Sequence, residues 1–143
     1  MKKKVAINGF GRIGRLVYRA FLERLNEFSN QYEISYINDL ADIDSNIHLL
    51  KYDSIHGPLN KEVNKISNEQ FSIGENTVTV TSERNPIDLK WKDKKVDIIL
   101  ECTGVFASKE KAMSHIESGA SKVIVSAPCS GADITVVQGV NNK

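Results

Sequence analysis

The amino-acid sequence predicts an α/β protein, a doubly wound parallel sheet with an antiparallel hairpin inserted into it. Short apolar runs of strand length occur at residues 5–7, 34–38, 96–102 and 122–126, and stretches of helical character separate several of them. Residues 62–82 instead contain short segments in which apolar and polar side chains alternate. Strands that alternate with helices favour a parallel sheet, whereas the alternating stretch favours antiparallel strands beside it.

The first strand, residues 5–7 with their neighbours, leads directly into a helix predicted from about residue 11 to residue 26. Apolar residues recur along this segment with the 3.6-residue period of a helix. The charged residue Arg19 is accordingly expected on the solvent face, together with Glu23, Arg24 and Glu27. The expected apolar stripe consists of Ile13, Leu16, Val17, Ala20 and Phe21.

The second strand is predicted at residues 34–38, after a polar connection. A short helix is predicted next, because an apolar set at residues 43–50 lies among polar residues. Asp42 and Asp44 are both suitable N-caps for it, since a carboxylate can accept a hydrogen bond from a free N–H group of the first turn.

The middle of the chain contains a predicted hairpin. Residues 71–73 and 78–80 have strand character, and residues 74–76, Gly-Glu-Asn, form the connection between them. Residues 84–86 are expected to turn, and residues 86–91 are polar enough to be expected at the surface.

The last third returns to the α/β alternation. The sequence predicts a strand at 96–102, a helix at 109–118, a strand at 122–126 and a further strand at 134–137. Gly119 is well placed to end the helix, because glycine readily adopts the left-handed conformation that follows many helices.

A glycine pattern at the first strand-to-helix junction indicates dinucleotide binding. Gly9, Gly11 and Gly14 form G-x-G-x-x-G, which suits a tight turn, a close approach of pyrophosphate to the backbone, and close packing of helix on strand. The helix N-terminus also offers free N–H groups to an anion. Asp39 ends the second apolar run 25 residues after Gly14, where ribose hydroxyls are expected. An ordinary glycine-rich turn followed by a turn aspartate is the alternative.

Asp39 also bears on the choice of cofactor. Its carboxylate would accept hydrogen bonds from the 2′- and 3′-hydroxyls of a ribose and would repel a 2′-phosphate. Two unit charges about 4 Å apart cost about 4 kcal/mol at an effective dielectric constant of 20. The sequence therefore favours NAD over NADP.

Several motifs resemble the glyceraldehyde-3-phosphate dehydrogenase family, in family order and over nearly the whole chain. The resemblance implies a Rossmann-type NAD-binding domain over residues 1–143. The family's catalytic segment, Ser-Cys-Thr-Thr-Asn, is then expected shortly after Asn141 and beyond Lys143, and the family's catalytic base later still. The motifs are Asn8-Gly9-Phe10-Gly11-Arg12-Ile13-Gly14-Arg15, Asn38-Asp39-Leu40, residues 51–57, residues 101–106, Ser126-Ala127-Pro128 and Gly139-Val140-Asn141.

The candidate cofactor-binding residues come from the glycine motif and from this resemblance. Arg84 matches a family position against the adenine, Thr103 and Gly104 match positions that line the cofactor site, and Ser126 matches a position near the nicotinamide. Each also has a structural alternative: a solvated turn charge, a strand-end turn or a strand-end hydroxyl. Arg12 likewise has a structural alternative, which is an ordinary surface charge. The full set is Gly9, Phe10, Gly11, Arg12, Ile13, Gly14, Asp39, Arg84, Thr103, Gly104 and Ser126.

No residue of the sequence is a candidate for catalysis or metal binding. Neither Cys102 nor Cys129 matches the family's catalytic position, and Cys102, directly after an apolar run, is expected to be buried and unreactive. The sequence spacing gives His48, His56 and His115 no arrangement with Cys, Asp or Glu that suggests a triad or a metal site.

The composition narrows the class of protein. A net charge of +1 gives no reason to expect nucleic acid or membrane as partners. No apolar run approaches the about 20 residues that span a bilayer. The apolar run that follows Lys2, Lys3 and Lys4 is too short for the core of a signal peptide. A cytoplasmic protein is expected.

The expected function of the whole protein, implied by the resemblance, is oxidation of D-glyceraldehyde 3-phosphate with NAD and phosphate in glycolysis. These 143 residues alone are expected to bind NAD without turnover. The resemblance also implies a homotetramer, and a C-terminal helix that packs on this domain, so that the domain alone is expected to be less stable and to self-associate. The alternatives are the corresponding domain of erythrose-4-phosphate dehydrogenase and a stand-alone dinucleotide-binding module.

Overall fold

Seven of nine strands form one mixed sheet in the structure, a computed structural model that describes all 143 residues. The strands are β1 (Lys3–Asn8), β2 (Tyr32–Asn38), β3 (Tyr52–Asp53), β4 (Gly57–Pro58), β5 (Asn64–Lys65), β6 (Gln70–Ile73), β7 (Asn76–Thr81), β8 (Ile98–Glu101) and β9 (Lys122–Val125). The helices are α1 (Arg12–Glu23), α2 (Leu25–Phe28), α3 (Ile43–Lys51), α4 (Trp91–Lys94) and α5 (Lys109–Glu117), with a 3₁₀ turn at Pro86–Leu89.

The strand order of the large sheet is β5-β6-β7-β2-β1-β8-β9. Strands β7, β2, β1, β8 and β9 are parallel, while β5 and β6 run antiparallel beside β7. The chain builds outward from β1 to β2 and β7, then crosses to β8 on the other side of β1. The order reverses between β1 and β8, and ligands of open α/β sheets bind at such a switch point. The predicted doubly wound sheet with a hairpin insertion is confirmed.

Alternation of side chains along β1 supplies the two hydrophobic cores. Val5 and Ile7 face a cluster of 14 buried residues with α1 and α3, whereas Ala6 faces a cluster of six that includes Trp91 and Ile99. Because a parallel strand is covered on both faces, the buried stretch at residues 5–7 is apolar at every position rather than alternating.

Helix α1 differs from the prediction in its buried face. Gly14, Tyr18, Arg19 and Leu22 are buried, while Ile13 is 50% exposed. The close approach of Gly14 to the loop after β1 fixes which side of the helix meets the sheet, and the i, i+4, i+8 series from Gly14 follows that side. The helix also ends earlier than expected, at Glu23, and α2 follows as a separate turn.

Arg19 is a correction, because it is 6% exposed and not on the solvent face. Its Nε and Nη2 donate to the carbonyl of Leu50 at 3.0 and 2.6 Å, and its Nη1 donates to the carbonyl of Gly57 at 3.0 Å. Leu50 lies in the last turn of α3, where free carbonyls and the helix dipole favour a cation. Arg19 therefore joins α1 to the end of α3 and to β4.

The segment 86–91 is a second correction. Pro86, Leu89 and Trp91 are buried, with Trp91 fully so, and the polar residues between them face solvent. A 3₁₀ turn followed by α4 brings these three apolar side chains to one side. The average polarity of the segment does not reveal this buried side.

Residues 134–137 do not form the predicted strand, and β9 pairs only with β8. The side chain of Asn141 forms hydrogen bonds with backbone groups that a strand would use to pair with its neighbour in the sheet. It accepts from the N–H of Val137 at 2.7 Å and donates to the carbonyl of Thr135 at 2.8 Å. These bonds fold the segment into a local turn.

Other predicted details agree with the structure. Asp42, rather than Asp44, is the N-cap of α3 and accepts from the N–H of Ser45 at 2.9 Å. Gly119 follows α5 with φ +113°. None of the helices combines the length and apolar character that crossing a membrane requires.

Candidate functional site

The candidate site lies at the switch point, where the loops after β1 and β8 meet. Gly9 leaves β1 with φ +90°, and a Cβ atom there would lie 2.7 Å from Cγ2 and 2.8 Å from the backbone N of Thr103. Only glycine satisfies both the backbone conformation and the contact. Gly9 therefore turns the chain toward α1 while the loop after β8 packs against it.

Gly14 and Gly11 serve different needs in the same loop. A Cβ atom on Gly14 would lie 2.1 Å from the carbonyl oxygen of Gly9, so the first turn of α1 sits directly on the loop. A Cβ atom on Gly11 would meet nothing within 4 Å. The space over Gly11 is open, which is the condition for a ligand to approach the backbone there.

The start of α1 offers a row of free donors. The backbone N–H groups of Gly11, Arg12, Ile13 and Gly14 have no acceptor in the chain, and the first N–H group that is paired is that of Arg15, with the carbonyl of Gly11 at 3.0 Å. The N-cap position is Gly11, which has no side chain to accept from them. Free N–H groups at the positive end of a helix dipole form an anion-binding site.

Asp39 lies beside this loop at the end of β2. Its Oδ2 accepts from the N–H of Phe10 at 2.8 Å, and its Oδ1 accepts from the N–H of Ala41 at 2.9 Å. Both bonds hold the carboxylate against the glycine loop. A carboxylate has about four acceptor positions, so two remain for hydroxyl donors.

Phe10 and Ile13, both in the candidate set, differ in exposure. The Phe10 side chain is buried against Tyr18, with ring centroids 6.1 Å apart, and its N–H belongs to Asp39. Phe10 thus shapes the loop from below. Ile13 points outward and contributes a free N–H group.

The Arg12 side chain has a partner within the chain. Its Nη1 lies 3.1 Å from Oδ2 of Asp53, a carboxylate that is 5% exposed. Asp53 also accepts from the backbone N–H groups of His56 and Ile55, and these bonds, His56 itself and the Arg12 charge hold its pKa well below the usual range. A cation at a helix N-terminus requires a nearby anion, and Asp53 supplies it.

The remaining candidates lie at neighbouring strand ends. Arg84 is exposed in the turn after β7 and has no hydrogen-bond or ion-pair partner in the chain. Thr103 follows β8, and its hydroxyl accepts from the N–H of Val105 at 3.1 Å. Gly104 has φ +75° and open space beside it. Ser126 is exposed at the end of β9, and its N–H donates to the carbonyl of Glu101 at 3.0 Å.

Cys102 has the character expected of an unreactive thiol. Burial raises its pKa, as does the charge of Glu101, and a hydrogen bond with the Ser126 side chain only partly opposes them. A raised pKa leaves little nucleophilic thiolate at neutral pH. Cys129 is partly exposed, and the only hydrogen-bond contact of its thiol is with the carbonyl of Ser130 at 3.9 Å.

Two histidines have carboxylate partners that the sequence did not suggest. His56 Nδ1 lies 3.2 Å from Asp53, and His115 Nε2 lies 2.7 Å from Glu101 Oε2. The pair of His115 and Glu101 is fully buried. No spacing rule joins residues 14 apart on a helix and a strand. The one available signal of a buried pair was the carboxylate of Glu101 within the apolar run at 96–102.

Glu101 has a lowered pKa despite its burial. Removal from water raises its pKa, but the hydrogen bonds from His115, Asn8 and Thr103 outweigh that effect, so the pKa lies below its usual range. The carboxylate accepts from His115 and Asn8 on Oε2 and from Thr103 on Oε1.

A groove of about 610 Å³ lies beside the candidate site and not over it. Its lining includes Leu40 and Ala41, which follow Asp39, and residues 79–83 at the end of β7. None of the glycine-loop residues lines it. The site is therefore defined by the free N–H groups and Asp39, and the groove is a neighbouring feature on the β7 side.

Comparison with known proteins agrees with this geometry. Residues 3–109 match the family model described as glyceraldehyde 3-phosphate dehydrogenase, NAD binding domain. The chain is 48% identical over 143 residues to the glyceraldehyde-3-phosphate dehydrogenase of Xanthobacter flavus, covering all of this chain and 42% of that protein. It is 49% identical over 138 residues to that of Thermotoga maritima, covering 96% and 40%. The chain thus spans about two fifths of the length of these relatives.

Proposed function

The chain belongs to the glyceraldehyde-3-phosphate dehydrogenase family, and from that premise we propose that residues 1–143 are the NAD-binding domain of an enzyme that oxidises D-glyceraldehyde 3-phosphate with phosphate to 1,3-bisphosphoglycerate. One observation carries the proposal. Four free N–H groups at the start of α1 lie in the same loop whose Phe10 N–H is held by Asp39. An anion site beside a ribose-type acceptor matches the two parts of a dinucleotide.

The pyrophosphate would lie over Gly11 and accept from the N–H groups of residues 11–14. The open space above Gly11 supports this fit, because the ligand has to approach the backbone closely there. The Arg12 side chain, paired with Asp53, would stay out of the contact. Asp39 would accept from the ribose hydroxyls with the lone pairs that Phe10 and Ala41 leave free.

The other four candidates complete the proposed site. Arg84 has an unpartnered guanidinium that could lie against the adenine. Thr103 and Gly104 would line the cofactor after β8, and the open space beside Gly104 supports close contact there. Ser126 would lie near the nicotinamide, since it is exposed at the end of the next parallel strand.

NAD, when bound, supplies the acceptor for a hydride. The contribution of these residues is to bind and orient it, since the raised pKa of Cys102 argues against a nucleophile here. On this proposal the 143 residues bind NAD, and turnover depends on residues outside them. A homotetramer, which rests on family membership alone, and a cytoplasmic location, which rests on the sequence features given above, complete the proposal.

The test is the cofactor preference of an Asp39→Ala variant, measured by calorimetric titration with NAD and NADP. The change removes an acceptor for the ribose and a charge that repels a 2′-phosphate, so the preference for NAD over NADP should fall by about tenfold, or about 1.4 kcal/mol. Loosening of the Phe10 loop would weaken both cofactors alike, which makes the ratio the informative quantity.

Asp88→Ala serves as the matched control. It also removes one aspartate, but an exposed one that makes no side-chain hydrogen bond in the structure, whereas Asp39 is half-buried. It should leave both affinities unchanged. An unaltered NAD/NADP ratio in Asp39→Ala would show that Asp39 is only a turn residue, and absence of NAD binding by the unaltered protein would refute the proposed function.

A further inference from the structure

Buried hydrogen bonds beneath the site converge on one carboxylate. On one side, Asn38 Nδ2 donates to Asn8 Oδ1 at 2.8 Å, and Asn8 Nδ2 donates to Glu101 Oε2 at 2.6 Å. On the other side, Trp91 Nε1 donates to His115 Nδ1 at 3.0 Å, and His115 Nε2 lies 2.7 Å from the same Glu101 oxygen. All five side chains are buried.

The direction of donation is fixed at both ends of this chain of bonds. The backbone N–H of Glu83 donates to Asn38 Oδ1 at 2.9 Å, so the amide of Asn38 must turn its Nδ2 toward Asn8. Asn8 then has to turn its own Nδ2 toward Glu101. The indole N–H of Trp91 can only donate, so His115 must carry its proton on Nε2, facing Glu101.

A third set of bonds reaches the other oxygen of Glu101. The N–H and the hydroxyl of Thr103 donate to Oε1 at 2.9 and 2.5 Å, and the N–H of Val105 donates to the Thr103 hydroxyl. Thr81 at the end of β7 likewise donates to Asn38 Oδ1 at 2.9 Å. Asn38 Nδ2 also donates to the carbonyl of Glu83 at 2.8 Å. The other donors of the network point toward Glu101, directly or through one or two side chains.

We propose that Glu101 is a positioning residue of the cofactor site, whose carboxylate sets the relative position of the loops that follow β1, β2, β7 and β8. The inference rests on the proposed function, because these are the loops that carry the glycine motif, Asp39, Arg84 and Thr103. Glu101 needs no contact with the cofactor for this role. As an acceptor on both oxygens, it satisfies four donors that no neutral side chain of its size could satisfy together.

A Glu101→Gln change exposes this dependence while keeping the side-chain shape. If the new NH₂ faces Asn8 and His115, it meets two other donors. To remove the clash with Asn8, the amides of both Asn8 and Asn38 would have to flip, and the NH₂ of Asn38 would then face the N–H of Glu83. If it faces Thr103, the hydroxyl can rotate to accept, and only the Thr103 N–H loses its acceptor. The second arrangement breaks fewer bonds, so the loop after β8 should loosen first.

The experiment compares Glu101→Gln with the unaltered protein at a temperature where both are fully folded. The dissociation constant for NAD should rise about tenfold, or about 1.4 kcal/mol. In the absence of cofactor, amide hydrogen exchange at Thr103 and Val105 should quicken about tenfold, because the tie to Oε1 is lost. Glu117→Gln is the control, since Glu117 is an exposed carboxylate on the same helix as His115 and should change neither quantity.

A second variant acts on Glu101 from outside the site. His115→Phe keeps an aromatic ring but withdraws one donor from Oε2, and α5 carries none of the cofactor loops. It should weaken NAD binding in the same direction and by a smaller factor. His115→Gln, which keeps a donor and an acceptor, should restore most of the affinity.

The outcomes separate positioning from mere stability. A Glu101→Gln protein that melts at a lower temperature but binds NAD normally, with unchanged exchange at Thr103 and Val105, overturns the inference. If Glu101→Gln does not fold, a folded His115→Phe protein with both quantities unchanged overturns it equally. If the unaltered protein fails to bind NAD, the proposed function fails, whereas the exchange measurement, which needs no cofactor, still decides whether Glu101 positions the loops.

Discussion

Gly11 and Gly14 lie three residues apart, and a side chain would have a different consequence at each. At Gly14 the constraint is packing, because a Cβ atom would collide with the carbonyl of Gly9. At Gly11, with φ −70°, the backbone is accessible to any residue and the surrounding space is empty. Under the proposed function, the first glycine leaves room for the ligand, whereas the second is needed for packing of the fold.

Substitution of these two glycines by alanine should separate the two effects. Gly14→Ala should lower the free energy of unfolding by about 3 kcal/mol, since backbone would have to move. Gly11→Ala should change it by less than about 1 kcal/mol, yet weaken NAD binding, because its methyl group occupies the space over the loop. Urea unfolding and NAD titration of both variants measure this. Equal loss of stability in the two variants would contradict the assignment.

At the scale of residues, the parts of the candidate site that depend on local chemistry are the ones that the sequence can indicate. The glycine spacing and the acid at the end of the second strand require no knowledge of distant contacts. The partner of Arg12 could not be predicted in this way, because Asp53 reaches it through the fold. The same holds for His115 and Glu101, which a buried helix face brings together.

At the scale of elements, tertiary packing overrode the average character of two segments. The predicted buried face of α1 was wrong because Gly14, which has no side chain, determines the side of the helix that packs on the sheet. Trp91 was expected at the surface, but its indole reaches His115 because the end of α5 docks on the start of α4. There the N–H of Trp91 donates to the Ser118 hydroxyl at 3.1 Å, and that of Lys92 to the Ser118 carbonyl at 3.0 Å.

Gly119 is the residue that permits this docking, and its replacement is the test. It has φ +113°, and a Cβ atom would lie 2.4 Å from Cβ of Lys92. Gly119→Ala should therefore lower the free energy of unfolding by about 3 kcal/mol, from backbone strain and overpacking together. Gly74→Ala is the matched control, with φ +58° and open space, and should cost only about 1 kcal/mol. Similar losses in thermal or urea unfolding would show that the contact with Lys92 is unimportant.

At the scale of the whole molecule, topology brings the site together. The parallel strands end at one edge of the sheet, so the loops after β1, β2, β7 and β8 converge although they are far apart in sequence. The alternation of strands and helices was sufficient to predict this arrangement. It was insufficient for residues 134–137, where Asn141 forms local bonds in place of a strand.

The expectation that this domain self-associates stays a prediction. Several apolar side chains near β9 and the last residues are exposed, and exposed apolar patches commonly bind another chain. They are Ile124, Ile134, Val136, Val137 and Val140.

The most direct test of the central claim, that the start of α1 holds the pyrophosphate of NAD, is a set of amide chemical shifts. The ¹⁵N-labelled protein is titrated with NAD, with ADP and with adenosine. We predict that the N–H signals of Gly11, Arg12, Ile13 and Gly14 move with NAD and with ADP, which share the phosphate groups, and stay in place with adenosine. If NAD leaves these four signals unmoved, or if adenosine moves them as far as ADP does, the claim is contradicted.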